Sequence, residues 1–177
     1  MPDGPGGDLL DRFVQGEEQA FETLFRQFEA EVYCWIMRIV RDRDAANETL
    51  VDAFWRAYRG RARFDPSRSF GAWMRRIATN AALDHLKESK RRRGWSVADD
   101  SLPAPAAGAP DVRESIEAAF AHLPPTLALV ARLAIVEAQP YAEIADALGI
   151  PEGTVKSRVF RATRLLRDEL ARQGVRP

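Results

Sequence analysis

Residues 141–170, YAEIADALGIPEGTVKSRVFRATRLLRDEL, read as a helix, a tight turn and a second helix. Ile144, Ala145 and Leu148 fall at spacings of one, three and four, which places them on one helical face. Gly149 supplies the permissive backbone of a short inter-helix turn, and Pro151 suits the first turn of the next helix. Val155, Val159, Ala162 and Leu166 recur every three to four residues and predict a buried stripe. The opposite face carries Ser157, Phe160, Arg161 and Arg164, with Lys156 and Arg158 toward its edges. Such a helix can lay its N-terminal half in a DNA major groove, with Arg on guanine edges and Lys and Ser on phosphates. The same pattern also fits an amphipathic surface helix with a solvated basic face, so the rest of the chain has to decide.

The 177 residues have a formal net charge of zero, but the average hides an alternation. Residues 1–54 hold 5 basic and 12 acidic side chains, residues 55–98 hold 12 and 3, residues 99–152 hold 2 and 9, and residues 153–177 hold 7 and 2. Two basic blocks set between acidic ones suggest two polyanion contacts on one chain, with acidic faces left for other partners. One cysteine excludes an internal disulfide framework. Cys34, inside the apolar EVYCWIMRIV, is expected to be a packed small hydrophobe. The N-terminus MPDGPGGDLL has no basic flank or apolar core of a signal peptide, and no apolar run reaches membrane-spanning length. A soluble cytoplasmic protein without membrane insertion is expected.

The organisation follows the charge blocks. From Asp8 to Val40 the apolar series Phe13, Phe21, Leu24, Phe25, Phe28, Val32, Trp35, Ile36 and Ile39 has helical spacing, broken near Gly16. Asp44 can cap a helix from Ala45 to about Arg59, whose stripe is Ala46, Leu50, Phe54 and Ala57. The arginine-rich loop GRARFDPSRS leads into a helix from about Phe70 to Arg92 carrying Trp73, Ile77, Ala81 and Leu83. Residues 94–110 are rich in Pro, Ala and Gly and read as a linker. Helical patterning resumes at Asp111 with Ile116, Phe120 and Leu123. The expected fold is all-α, with helical domains at 8–93 and 111–173 on a flexible tether.

Three stretches in order carry a family resemblance. EIADALGIPEGTVKSRVFRATRLLRDEL resembles the second-domain signature of bacterial sigma factors of the sigma-70 family, extracytoplasmic function (ECF) subfamily. FGAWMRRIATNAALDHLKESKRR resembles that family's promoter-melting helix, and DAANETLVDAFWRAYR its polymerase-binding helix. The resemblance extends over nearly the whole chain, from about Phe21 to Leu170.

The resemblance implies two promoter contacts. The minus-thirty-five element would be read by Lys156, Ser157, Arg158, Arg161 and Arg164. The minus-ten element would be opened, and an unstacked base held, by Arg61, Arg63, Phe64, Ser67, Arg68, Arg75, Arg76 and Asn80. Contacts of the second kind need cations along the strand and a pocket or aromatic surface for the base. Asn80, one turn beyond Arg76, offers a donor and an acceptor to a base edge. The run 87–93, KESKRRR, would add phosphate contacts. The linker would thread through the polymerase, with Trp95, Asp99 and Asp100 as contacts.

Core RNA polymerase is the implied partner, through the clamp helices of its largest subunit and the flap of its second-largest. The clamp surface would comprise Asp44, Asn47, Glu48, Val51, Asp52 and Trp55. Where relatives commonly have Glu-Asp and then Gln, this chain has Asn47-Glu48 and then Val51, which removes one polar contact. A second departure precedes the helix-turn-helix, with Ala128 in place of an arginine, Ala134 at a position often charged and Pro140 in place of a capping serine. Missing cations weaken DNA binding, while the apolar run favours a protein partner. Leu127, Val130, Leu133 and Val136 are therefore expected to face an anti-sigma factor or the first domain. No further periodic segment follows Arg172, so the regulator is expected on a separate protein.

Enzymatic readings find little support. His85 and His122 lack partners at metal-ligand spacing, and there is no Gly-rich phosphate loop or nucleophile motif. No cofactor or metal is expected. Two readings remain, a promoter-specificity subunit and a sigma-like module that only binds an anti-sigma factor. The two cationic blocks favour the first.

Overall fold

The computed structural model describes residues 5–95 and 112–175, and every regular element among them is helical. The main division into compact units falls after Arg93. Asp99 and Asp100, with the other expected linker residues from 96 to 110, lie outside the described residues, as do the side chains of Arg93 and Trp95.

The amino-terminal unit contains α1 (Gly7–Gln15), α2 (Glu18–Val40), α3 (Arg43–Gly60), a 3-10 turn (Arg61–Arg63) and α4 (Phe70–Trp95). The expected break near Gly16 is a left-handed helix end, φ 89°, which glycine adopts without strain. An Arg12–Glu17 ion pair flanks that break. Phe13, Leu24, Val32, Trp35 and Ile36 are buried from α1 and α2, Ala46, Ala53 and Phe54 from α3, and Phe70, Met74 and Ala78 from α4. Trp35 is 1% exposed, and its indole N–H donates to Thr79 Oγ1 at 2.9 Å. Thr79 in turn donates to the Arg75 carbonyl at 2.7 Å, so the buried polar atoms are paired and α2 is keyed to α4.

Two expectations for this unit need correction. Asp42, not Asp44, caps α3: its Oδ1 accepts the Ala45 N–H at 2.8 Å, while Asp44 sits exposed in the first turn. Asp42→Ala should therefore lower stability by about 1 kcal/mol in urea unfolding, and Asp44→Ala by clearly less. Cys34 is exposed rather than packed. The buried face of α2 runs through Val32, Trp35, Ile36 and Ile39, and Cys34 is out of phase with it.

The carboxyl-terminal unit contains α5 (Val112–Ala121), α6 (Pro125–Ala131), a π-helical turn (Arg132–Val136), α7 (Tyr141–Leu148) and α8 (Glu152–Arg172). Ala119, Phe120, Leu123, Ala131, Ala162 and Leu166 form a core cluster, with Leu127, Ala128 and Leu170 packed against it. Ile116, expected in that stripe, is instead 38% exposed. Arg132 stacks over the Phe120 ring at 4.7 Å and pairs with Glu117 at 3.3 Å. The expected partner face is largely closed, because Val130 and Leu133 are fully buried and Leu127 is half-buried. Val136, 53% exposed, and its neighbour Ile135, 49%, are what remains open. Gly149 closes α7 at φ 64°, where the Ile150 N–H bonds the Ala145 carbonyl at 3.0 Å. Pro151 takes the N-cap position one residue before α8 rather than its first turn.

Candidate nucleic-acid interface

Val155, Val159, Ala162 and Leu166 are all buried, as the spacing of α8 predicts, and this fixes which way its polar residues point. Lys156, Ser157, Arg161 and Arg164 are exposed and Arg158 is half-exposed. Arg161 and Arg164 have no ion-pair partner among the described residues. Their charge is free for an anionic ligand. Lys156 is different, since its ammonium lies 2.8 Å from Glu152 Oε1. That hydrogen bond and the attached negative charge raise its pKa. Glu152→Gln should free this cation, raising DNA affinity about threefold at low salt and steepening the salt dependence in filter-binding titrations. Ser157 donates to the Thr154 carbonyl at 3.0 Å and keeps its lone pairs for an incoming donor. Phe160 is 71% exposed between these cations. The sequence placed it on this face without giving it a role, and its exposure is the missing signal.

A second cationic surface lies on the loop between α3 and α4. Asp65 organises it, with Oδ1 accepting the Ser67 N–H at 3.0 Å and the Ser67 hydroxyl at 2.7 Å. These bonds, the hydroxyl first, hold the Asp65 pKa below the usual carboxylate range. Arg63, Ser67 and Arg68 project from the loop, with Arg68 3.5 Å from Asp65. Arg76 and Asn80 are exposed one helical turn apart on α4. Ser69 starts α4 by accepting the Ala72 N–H on its hydroxyl at 3.3 Å.

Three expected members of this surface lie elsewhere. Phe64 is 5% exposed, packed among Phe13, Phe70 and Trp73 with ring centroids 4.8–6.5 Å away. Its ring is part of the core, so it cannot serve as the exposed stacking surface expected for a flipped base. Arg75 pairs with Glu31 at 2.8 Å and ties α4 to α2. Arg61 turns back onto Tyr58. In the basic run after α4's midpoint, Glu88 binds both Arg91 and Arg92, which takes its pKa down to about 2 and offsets part of that run's charge.

The exposed face of α3 carries Asp44, Asn47, Glu48, Val51 and Trp55, while Asp52 is half-buried and pairs with Arg56 at 2.8 Å. Val51 is 66% and Trp55 56% exposed, one turn apart, so the position that lacks a polar residue adds to an apolar ridge. Trp55 stacks on Tyr58 with centroids 5.9 Å apart. Among the described residues no His, Cys, Asp and Glu group is arranged to hold a metal ion. No helix among them is long and apolar enough to cross a membrane.

Comparison with known proteins agrees with this two-part layout. Residues 24–92 match the family model for sigma-70 region 2, and residues 113–166 that for sigma-70 region 4. The chain is 31% identical over 166 residues to the RNA polymerase sigma factor CarQ of Myxococcus xanthus, covering 91% of this chain and 95% of CarQ. It is 32% identical over 157 residues to the ECF RNA polymerase sigma factor SigM of Mycobacterium tuberculosis, covering 88% and 79%. The fold resembles CnrH in the solved complex of CnrH with the cytosolic domain of CnrY, with TM-score 0.60, 20% identity and 93% and 96% of the two chains covered.

Proposed function

The chain belongs to the sigma-70 family of RNA polymerase sigma factors, in the ECF subfamily, and from that premise we propose how its surfaces divide the work of promoter-specific initiation. Arg161 on α8, supported by Lys156, Ser157 and Arg158, reads the minus-thirty-five element, and Arg164 holds a backbone phosphate beside it. Phe160 adds an apolar contact of the kind that suits a thymine methyl group. Arg63, Ser67, Arg68, Arg76 and Asn80 hold the opened minus-ten strand, the cations on phosphates and Asn80 on a base edge. The ridge of Val51 and Trp55, rimmed by Asn47, Glu48 and Asp52, docks on the clamp helices of core polymerase. An exposed aromatic beside an aliphatic, with a polar rim, is the composition of an interface anchor. The observation that carries the reading is that both family-matched segments present exposed cations, Arg161 and Arg164 opposite the buried stripe of α8, and Arg63, Arg68 and Arg76 on the loop before α4 and the start of that helix.

CnrH was solved with the cytosolic domain of CnrY, and the sigma factor RpoE of Bartonella quintana, of similar fold, was solved in complex with the anti-sigma factor NepR. By analogy, a separate anti-sigma factor holds this chain inactive in the cytoplasm until a signal releases it. Val136 and Ile135 are the apolar side chains of the expected partner face still available to it. The carboxyl-terminal unit alone binds DNA weakly, since Ala128 and Pro140 supply neither a cation nor a side-chain cap. Specific binding follows when polymerase holds both units on one promoter and the second contact becomes intramolecular.

The decisive test is run-off transcription with purified chain and core polymerase on a promoter library from the source genome. Discrete transcripts that depend on the chain are expected. Tight core binding without promoter-specific transcripts would instead support an anti-sigma-binding mimic.

A further inference from the structure

Arg61 does not behave like the other cations of its loop. Arg63 and Arg68 point to solvent, whereas Arg61 is half-buried and its Nε–H is fully buried without an acceptor. Its Nη1 donates to the Tyr58 carbonyl at 2.8 Å, and its guanidinium carbon lies 4.5 Å from the centre of the Tyr58 ring. A β-carbon on Gly16 would lie 2.9 Å from both Nε and Nη2 of Arg61. The seat of this arginine is thus the space left by a missing side chain. Gly16 has φ 89°, so its own backbone also disfavours any substitute.

We propose that Arg61 is a positioning residue for promoter opening. Seated against Gly16 and stacked on Tyr58, its guanidinium ties the end of α1 to the start of the 60–69 loop, so that Arg63 and Arg68 are held ready for the promoter strand. This rests on the minus-ten role proposed above for that loop. The 3-10 turn begins at Arg61 itself, and the Phe64 N–H bonds the Arg61 carbonyl at 3.0 Å. The next link follows at once, because Phe64 is anchored in the aromatic core and the Arg68 N–H bonds the Asp65 carbonyl at 2.9 Å. Shape matters here as well as charge. A planar guanidinium can stack on Tyr58 and reach its carbonyl together, and a lysine ammonium cannot reproduce that pair of contacts.

The test compares Arg61→Lys, Arg61→Ala and Gly16→Ala with the unaltered full-length chain. Hydrogen exchange of the free protein is expected to show the Phe64, Ser67 and Arg68 amides exchanging at least about tenfold faster in all three, with α2 and α4 unchanged. Holoenzyme carrying Arg61→Lys should form open complexes about tenfold more slowly at unchanged core affinity, and adding Arg61→Lys to Arg63→Ala/Arg68→Ala should cost little more. If Arg61→Lys retained normal loop exchange and normal opening, Arg61 would be a plain phosphate contact and the proposal overturned. Faster exchange spread through α2 and α4 would mark general destabilisation and overturn it equally. An unaltered holoenzyme that opens no promoter would count against the functional reading alone, since loop exchange in the free chain judges the positioning role independently.

Discussion

Trp35→Ala is expected to destabilise the amino-terminal unit by about 3–5 kcal/mol, the range for deleting a large aromatic from a close-packed core. The side chain is 1% exposed and is among the largest fully buried ones in the chain. Its loss leaves a cavity between α2 and α4 and removes a hydrogen bond to Thr79, whose hydroxyl keeps its bond to the Arg75 carbonyl. For a unit of this size each kcal/mol moves the midpoint by roughly 4–8 °C, so the thermal transition should fall by more than about 12 °C. Trp35→Phe retains most of the volume and should cost about 1–2 kcal/mol, reporting the lost hydrogen bond and the smaller ring. Circular dichroism melts of the full chain would separate the two. A drop under about 1 kcal/mol for the alanine variant would show that the neighbours close over the site. Loss of Trp35 should also impair promoter opening, because Thr79 sits between Arg76 and Asn80 on the same helix.

Arg161→Ala should lower holoenzyme affinity for promoters with a minus-thirty-five element by about 1–3 kcal/mol, roughly 5- to 150-fold. The residue is exposed and carries no internal ion pair among the described residues, so no intramolecular contact offsets the loss. Binding to a template bearing only the minus-ten element should be unchanged. Arg161→Lys should recover charge without bidentate geometry, and so restore affinity more than base selectivity. Arg164→Ala makes the contrast. As a phosphate contact it should weaken all sequences evenly and reduce the logarithmic salt slope by about one. Equal loss on both templates in the Arg161 variant would remove it from base reading.

The recognition helix was legible from sequence because its apolar residues keep a single phase, which fixes the opposite face at the same time. That logic also reached the aromatic stripe of α2 and the break at Gly16. It failed where phase is absent. Residues 127–136 are apolar nearly all round, so periodicity could not say that Val130 and Leu133 turn inward while Val136 turns out, and the π-helical turn shifts the register further. Phe64 stands between an arginine and an aspartate in a loop, and only the fold brings it to Phe13 and Trp73. Asp42 and Asp44 are equally good caps by type, and backbone geometry decides between them. Cys34 was within reach, for the stripe of Val32, Trp35, Ile36 and Ile39 leaves it off the buried face. At this position the local phase of the helix overrides the general tendency of cysteine to be buried.

The exposure of Cys34 has a practical consequence. As the chain's single thiol, it accepts one maleimide dye per molecule with no competing site and no cysteine-free background to engineer. The natural sequence thus carries its own stoichiometric attachment point on α2. A fluorophore there, paired with one on promoter DNA, would let the approach and departure of single molecules be timed during initiation.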